Sequence, residues 1–319
     1  MVNVSTYRIL RFLRRLSGGY IIAFFLAIVA LITGLVSSIE PTISIKVGIL
    51  SYSEEAAAGD TLQKLLNFWF DKDNSMEVLY RTTKGDTSVQ TRQLENLVND
   101  GCRVIIITGS DFSRDEAAII AAGAAGVKIL AINADVTGGS RTYLGTNPYD
   151  EGFLLGDHLH HNLPQQANIL YISGQDSFFT QQQLLGFSES CRLFRPDVKL
   201  LATINGKGTV AGAEAALKDF IKKSPHPKVD AIVATQLDLA LTARETLSKA
   251  GLPAPLTYCI SSEPDAAKAI TEGTIQAAVG IDMSILAEEA HRMTAELAAG
   301  KAVPDKLYSP MVRTKANTR

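Results

Sequence analysis

Apolar residues along this chain come in two kinds of run, and the two alternate from residue 45 onward. Short runs bounded by turn residues read as buried strands, and the longer stretches between them carry the 3.6-residue period of helices. The strand stretches are 45–50, 77–80, 104–108, 127–133, 168–173, 198–204, 231–234, 257–260 and 276–279. Between the second and third of these, Val89, Leu94, Leu97 and Val98 make one helical face, stopped at Asp100-Gly101. Further helices are expected near 113–125, 149–162, 180–194, 210–223, 237–250, 264–272 and 284–299. Trp69 falls at helical spacing with Leu62, Leu65 and Leu66 and reads as core.

Such a strand–helix alternation predicts an α/β protein whose parallel sheets are covered by helices on both faces. Its strands are too many for one compact half, so two sheets of about five strands each are expected. Ligands of such sheets sit beyond the carboxyl ends of the strands. Here those ends are the loops starting at Ser51, Thr108, Asn133, Gly174, Gln236, Ser261 and Gly280.

One run fits neither pattern. Residues 20–36 form 17 consecutive apolar or small residues without a charge, at the short end of what crosses a bilayer as a helix. Arg8, Arg11, Arg14 and Arg15 precede it, and the first charge after it is Glu40. The positive-inside rule then puts residues 1–19 in the cytoplasm and everything after Ser37 outside. Expected is a single-pass membrane protein with its globular part on the outer face. A cleaved secretory signal is the alternative, with Val36-Ser37-Ser38 as a small-residue cleavage site. The linker 37–44 is short, spanning at most about 28 Å when extended.

Composition narrows the class. The chain has 319 residues, 46% hydrophobic and 20% charged, with a net charge of −2. It has ample material for a core, and no basic stripe that would suit nucleic acid. Cys102, Cys191 and Cys259 are far apart and read as buried thiols rather than a disulfide scaffold or metal set. His158 and His161 share a helix face but lack a distant third ligand. Gly206-Lys207-Gly208-Thr209-Val210-Ala211-Gly212 follows a strand, yet its spacing is GxGxxxG rather than the dinucleotide GxGxxG. No nucleophile–base constellation appears, so neither an enzyme nor a cofactor is expected.

Several segments together resemble the type I periplasmic binding proteins, the ribose/galactose/xylose-binding family that shares its fold with the ligand domain of LacI-type repressors. They are Asp86-x-x-x-Gln90, Leu94-x-x-Leu97-Val98-x-x-Gly101, Val104 to Ile107, and Gly126-Val127-Lys128-Ile129 leading to Asn133. Leu144-Gly145-Thr146-Asn147-Pro148-Tyr149-x-x-Gly152, Gly156, Gly186-Phe187, Arg195-Pro196-Asp197 and the closing 310–314 complete the set. The resemblance covers 45–319. It implies two lobes joined by a hinge, with crossings near Asn147 and Gly280 and a third near the C-terminus. Lobe 1 would combine about 45–146 with 280–306, and lobe 2 would hold 147–279 and a C-terminal strand.

It also implies a site. Where the family carries Asp-Arg after a strand, this chain has Asn133-Ala134, and Gln183 stands where the family has Arg. Gln236-Leu237-Asp238 replaces an Asn-Asp pair, and Ser261 or Ser262 replaces an Asp. The expected ligand-binding residues are therefore Tyr52, Ser53, Asn133, Asp135, Phe178, Gln183, Gln236, Asp238, Ser261 and Asp282, with Phe179 as a further ring for stacking. Each has a plain alternative as a turn former, helix cap or surface residue. A set of amides and hydroxyls suits a small neutral polar ligand, above all a monosaccharide, and suits carboxylate or phosphate badly. Uptake through an ABC permease is the expected role. The alternative is a tethered sugar sensor signalling to a histidine kinase, for which the short linker argues by raising effective concentration near a membrane partner.

Overall fold

A computed structural model describes residues 24, 26–29, 44–51, 61–83, 86–109, 111–112, 115–174, 176–207, 209–309 and 311–315, with only the backbone given at 87, 111, 112, 135 and 311–315. Most of 20–36 lies outside these residues. Phe24, Leu26, Ala27, Ile28 and Val29 are helical and exposed. Among the described residues, no helix is long and apolar enough to cross a membrane.

From Ile45 the chain builds a first sheet. Its elements in order are β1 (Ile45–Ser51), α1 (Thr61–Phe70), β2 (Met76–Thr82), α2 (Gln90–Asn99), β3 (Val104–Thr108), β4 (Asp111–Phe112), α3 (Glu116–Ala124), β5 (Lys128–Ile132), β6 (Asp135–Val136) and β7 (Arg141–Gly145). The second sheet follows with α4 (Pro148–Leu159), β8 (Asn168–Ser173), α5 (Phe178–Phe194), β9 (Lys199–Asn205), α6 (Val210–Lys223), β10 (Ala231–Ala234), α7 (Leu237–Lys249), β11 (Leu256–Ile260), α8 (Pro264–Thr271) and β12 (Ala277–Ile281). The chain then returns with α9 (Met283–Ala298) and β13 (Lys306–Tyr308), and crosses again to β14 (Met311–Lys315).

Strand order is β13-β7-β5-β3-β1-β2 in one six-stranded sheet and β14-β12-β11-β10-β8-β9 in the other. The chain therefore passes between the sheets three times, after β7, β12 and β13. All strand pairs are parallel except β12 with β14, which is antiparallel. The expectation of purely parallel sheets is corrected there: β14 arrives directly from the neighbouring sheet, without a crossover helix to reverse it.

Helices cover both faces of each sheet. In lobe 1, Ile49 and Ile106 face Leu66 of α1 and Met293 of α9, while Ile105 and Ile107 face Leu94 and Leu97 of α2. In lobe 2, Ile172 and Ile232 face Leu217 of α6 and Leu247 of α7, while Tyr171 and Val233 face Leu155 of α4 and Phe187 of α5. β3, whose five residues are all buried, shows why its sequence is uniformly apolar rather than alternating. Trp69 packs at the edge of the first core and stacks on His291 at 6.0 Å.

The helix starts are written locally. Asn147 caps α4 by accepting the Tyr149 N–H at 3.2 Å, with Pro148 behind it. Ser177 and Thr180 form a capping box on α5. Thr209 caps α6 by accepting the Gly212 N–H at 3.0 Å, so the glycine-rich loop serves as a strand-to-helix turn. All three cysteines are free, and burial pushes their thiols up, Cys259 to about 12.

A candidate ligand cleft between the lobes

The carboxyl ends of β5, β10, β11 and β12 converge on a cavity of about 550 Å³. It is lined from lobe 1 by Asn133 and Met283, from the first crossing by Thr146, and from lobe 2 by Glu151, Phe179, Gln236, Asp238, Ser261 and Glu263 among others. None of the lining residues is Lys or Arg.

Asn133 sits in the left-handed region with φ 45, a conformation Asn tolerates better than most residues. Its Oδ1 accepts the Thr146 N–H at 3.0 Å and the Tyr143 hydroxyl at 3.3 Å, and the same hydroxyl stands 2.7 Å from the Thr146 carbonyl. Strand end and first crossing are thereby locked together. Gly145 makes room for this, since a Cβ there would lie 2.0 Å from Asn133 Oδ1.

The lobe 2 wall owes its shape to a close helix crossing. A Cβ at Gly152 of α4 would lie 1.8 Å from the Gln183 carbonyl oxygen, and one at Gly186 of α5 would lie 1.9 Å from that of Tyr149. With glycines at both places the backbones touch, and Glu151 is brought beside Gln183. Gln183 Nε2 donates to Glu151 Oε2 at 2.7 Å, and both side chains are buried. Burial holds the Glu151 carboxyl above the ordinary carboxylate range, opposed by hydrogen bonds from Gln183 and Thr146. Gln183 Oε1 has no hydrogen-bond partner among the described residues.

The remaining acids lie at helix starts, Asp238 and Asp265 in first turns and Glu263 at an N-cap, where the positive end of the helix dipole favours them. Asp238 Oδ1 accepts the Leu239 N–H at 2.8 Å, and Ser261 Oγ accepts the Glu263 N–H at 3.2 Å. Ser262 Oγ accepts the Ile281 N–H at 2.8 Å, tying the β11 loop to β12. Glu263 also reaches the opposite lobe, where Thr61 Oγ1 donates to its Oε2 at 2.7 Å.

Of the residues expected from the sequence, Asn133, Gln236, Asp238 and Ser261 are brought together around this cavity. Gln183 stands behind Glu151 rather than on the lining, and Asp282 caps α9 by accepting the Ser284 and Ile285 N–H groups. Phe178 lies to one side and is 57% exposed. Tyr52 and Ser53 lie outside the described residues, as does the side chain of Asp135. Glu151 and Thr146 also line the cavity, and the sequence does not single either out as a ligand-binding residue. Glu151 looks like an ordinary first-turn charge after Pro148, and only the helix crossing turns it inward.

A family model described as "Periplasmic binding protein domain" matches residues 69–302. The chain is 24% identical over 243 residues to the xylitol-binding protein of Mycolicibacterium smegmatis, covering 75% of this chain and 65% of that protein's length. It is 21% identical over 242 residues to the ribose import binding protein RbsB of Bacillus subtilis, covering 75% and 77%. Among solved structures, the Caulobacter myo-inositol binding protein bound to myo-inositol superimposes with a TM-score of 0.77 at 17% identity, over 85% of this chain and 93% of that one. At that identity the likeness speaks for the fold.

Proposed function

The chain belongs to the periplasmic binding protein family, and on that premise we propose that it is an extracytoplasmic receptor that closes around a small neutral polar ligand, a sugar or polyol, and delivers it to an ABC permease. It is a binding protein and not an enzyme. The observation that carries the reading is the cleft: a cavity of about 550 Å³ at the strand ends of both lobes, lined by amides, hydroxyls and carboxyls and by no cation. Its size falls in the range of about 300–1,000 Å³ common for small-molecule sites.

In this reading Asn133, Gln236 and Ser261 bind ligand hydroxyls, and Asp238 accepts from them. Phe179 covers the apolar face of a ring. Glu151, oriented by Gln183, hydrogen-bonds a ligand hydroxyl, and an anionic ligand is disfavoured because no cation on the lining would balance it. The Thr61–Glu263 bond is a contact of the closed lobes. Lobe 1 comprises 45–146 with the returning segment that carries α9 and β13, and lobe 2 comprises α4 to β12 with the C-terminal strand β14. The relatives named for xylitol and ribose support this ligand class.

The apolar run 20–36 and the arginines before it support a single-pass anchor that holds the receptor at the outer face of the membrane. The short linker supports a second role as a sensor for a histidine kinase. A thermal-shift screen of the full chain tests the ligand class, since a ligand that binds only the folded state raises the melting temperature. Stabilisation by pentoses, hexoses or polyols is expected. Stabilisation by an amino acid or amine alone would end the sugar assignment. Affinity purification of the intact chain separates the roles, a permease subunit supporting uptake and a kinase supporting sensing.

A further inference from the structure

Beside the cleft lies a second cavity of about 450 Å³, and it shares Thr146 and Phe179 with the first. Its floor is the outer edge of the lobe 1 sheet. There the strands β7 and β13 carry Tyr143 and Tyr308, their rings edge to face with centroids 6.0 Å apart. Phe179 closes the row from lobe 2 at 6.1 Å from Tyr143. Arg141 and Lys306 stand at the same strands' opening ends. Tyr308 is 49% exposed, so an aromatic face here is left to solvent.

Resting on the cleft reading above, we propose that this chamber is a second subsite, and that the ligand is a two-ring sugar rather than a lone monosaccharide or polyol. A sugar ring has an apolar C–H face and an edge of hydroxyls. Tyr143, Tyr308 and Phe179 offer surface for the face, and the fork of Arg141 with the Lys306 ammonium offers donors for the edge. A purely apolar substituent would meet the rings but would desolvate the charged rim, where Asp305 lines the chamber with Arg141 and Lys306. The glycosidic link passes beside Phe179 and Thr146, the two residues that both cavities share.

The test is titration calorimetry on the full chain, with glucose, galactose, xylitol and myo-inositol as single-unit probes and maltose, lactose and melibiose as two-ring probes. At least one disaccharide is expected to bind about tenfold tighter than its component monosaccharides. Tyr308→Ala and Arg141→Ala should each reduce that advantage about tenfold, the scale of one lost ring contact or charge-assisted hydrogen bond, while single-unit binding stays unchanged. Arg141 is an exposed strand-end residue, so that variant tests the chamber without burdening the core. Single-unit probes that bind while no disaccharide gains overturn the second subsite and leave the cleft reading standing. Disaccharide affinity untouched by both variants overturns it equally. No binding by either class overturns the cleft reading itself, and the subsite with it.

Discussion

The two cavities flanking Phe179 are built from different materials. The cleft is walled by helix starts and strand ends, so its chemistry is that of amides, hydroxyls and first-turn carboxyls, most already engaged with backbone. The chamber is walled by a sheet edge, so its chemistry is that of cross-strand aromatic rings with charges at the rim. The difference teaches how directional each site can be. Groups fixed by backbone hydrogen bonds select hydroxyl positions, whereas rings on a sheet edge accept any flat apolar face.

The change expected to break this comparison most completely is Gly186→Val. Its side chain would collide with the Tyr149 carbonyl, forcing α4 and α5 apart. The cost should reach about 3 kcal/mol or more, read as a lowered denaturation midpoint. Both cavities should fail together, because the crossing positions Glu151 and Phe179 alike.

Asn133→Ala removes the carboxamide that locks the crossing and replaces a residue that tolerates left-handed backbone with one that does not. A loss of about 2 kcal/mol is expected. Asn133→Gly sharpens the result: it keeps the backbone conformation, so it should recover part of the stability and none of the ligand affinity. Equal stability in the two variants would contradict the strain argument.

Tyr143→Phe tests the link between the cavities. The hydroxyl standing between Asn133 and Thr146 is lost, at about 1 kcal/mol, while the ring stays in the chamber row. Stability should fall slightly, with the chamber's contribution to affinity intact.

A pH-dependent test is offered by Glu151. Burial raises its folded-state pKa above the ordinary value of 4.5, so the folded protein holds this proton more tightly than the unfolded chain. Its contribution to stability is complete below that ordinary value and is lost as pH rises through the raised one. Glu151→Gln keeps the shape and loses the proton, so melting temperature should decline less with rising pH than in the wild type. Parallel pH profiles would show that Glu151 is ionised and solvated instead.

Much of the fold was legible in the sequence. The strands at Val104–Thr108, Asn168–Ser173 and Ala231–Ala234 are continuous apolar runs, and both they and the helix Val210–Lys223 lie where periodicity puts them. β7 and β13 were not legible. Arg141–Gly145 begins with an exposed Arg and mixes buried with half-buried positions, and Lys306–Tyr308 is three residues long with none buried. β13 is an edge strand and lacks the two-sided burial that writes a strong signal, and β7 beside it carries Arg, Thr and Tyr in three of its five positions. The aromatic chamber sits on those two strands and was hidden with them. In the cleft, strand-end residues such as Asn133, Gln236 and Ser261 were visible because position after a strand suffices to find them. Glu151 was not, because its inward aim depends on two glycines in different helices meeting across 34 residues of chain.

The central claim is that the cleft binds a neutral polar ligand through groups from both lobes. Titration calorimetry of the full chain with xylitol, ribose and myo-inositol, repeated on Gln236→Ala, tests it most directly. At least one of these solutes should bind saturably, and the variant should weaken that binding about tenfold without lowering the melting temperature. Binding that survives Gln236→Ala unchanged, or saturable binding only of an anionic or amino-acid solute, would contradict it.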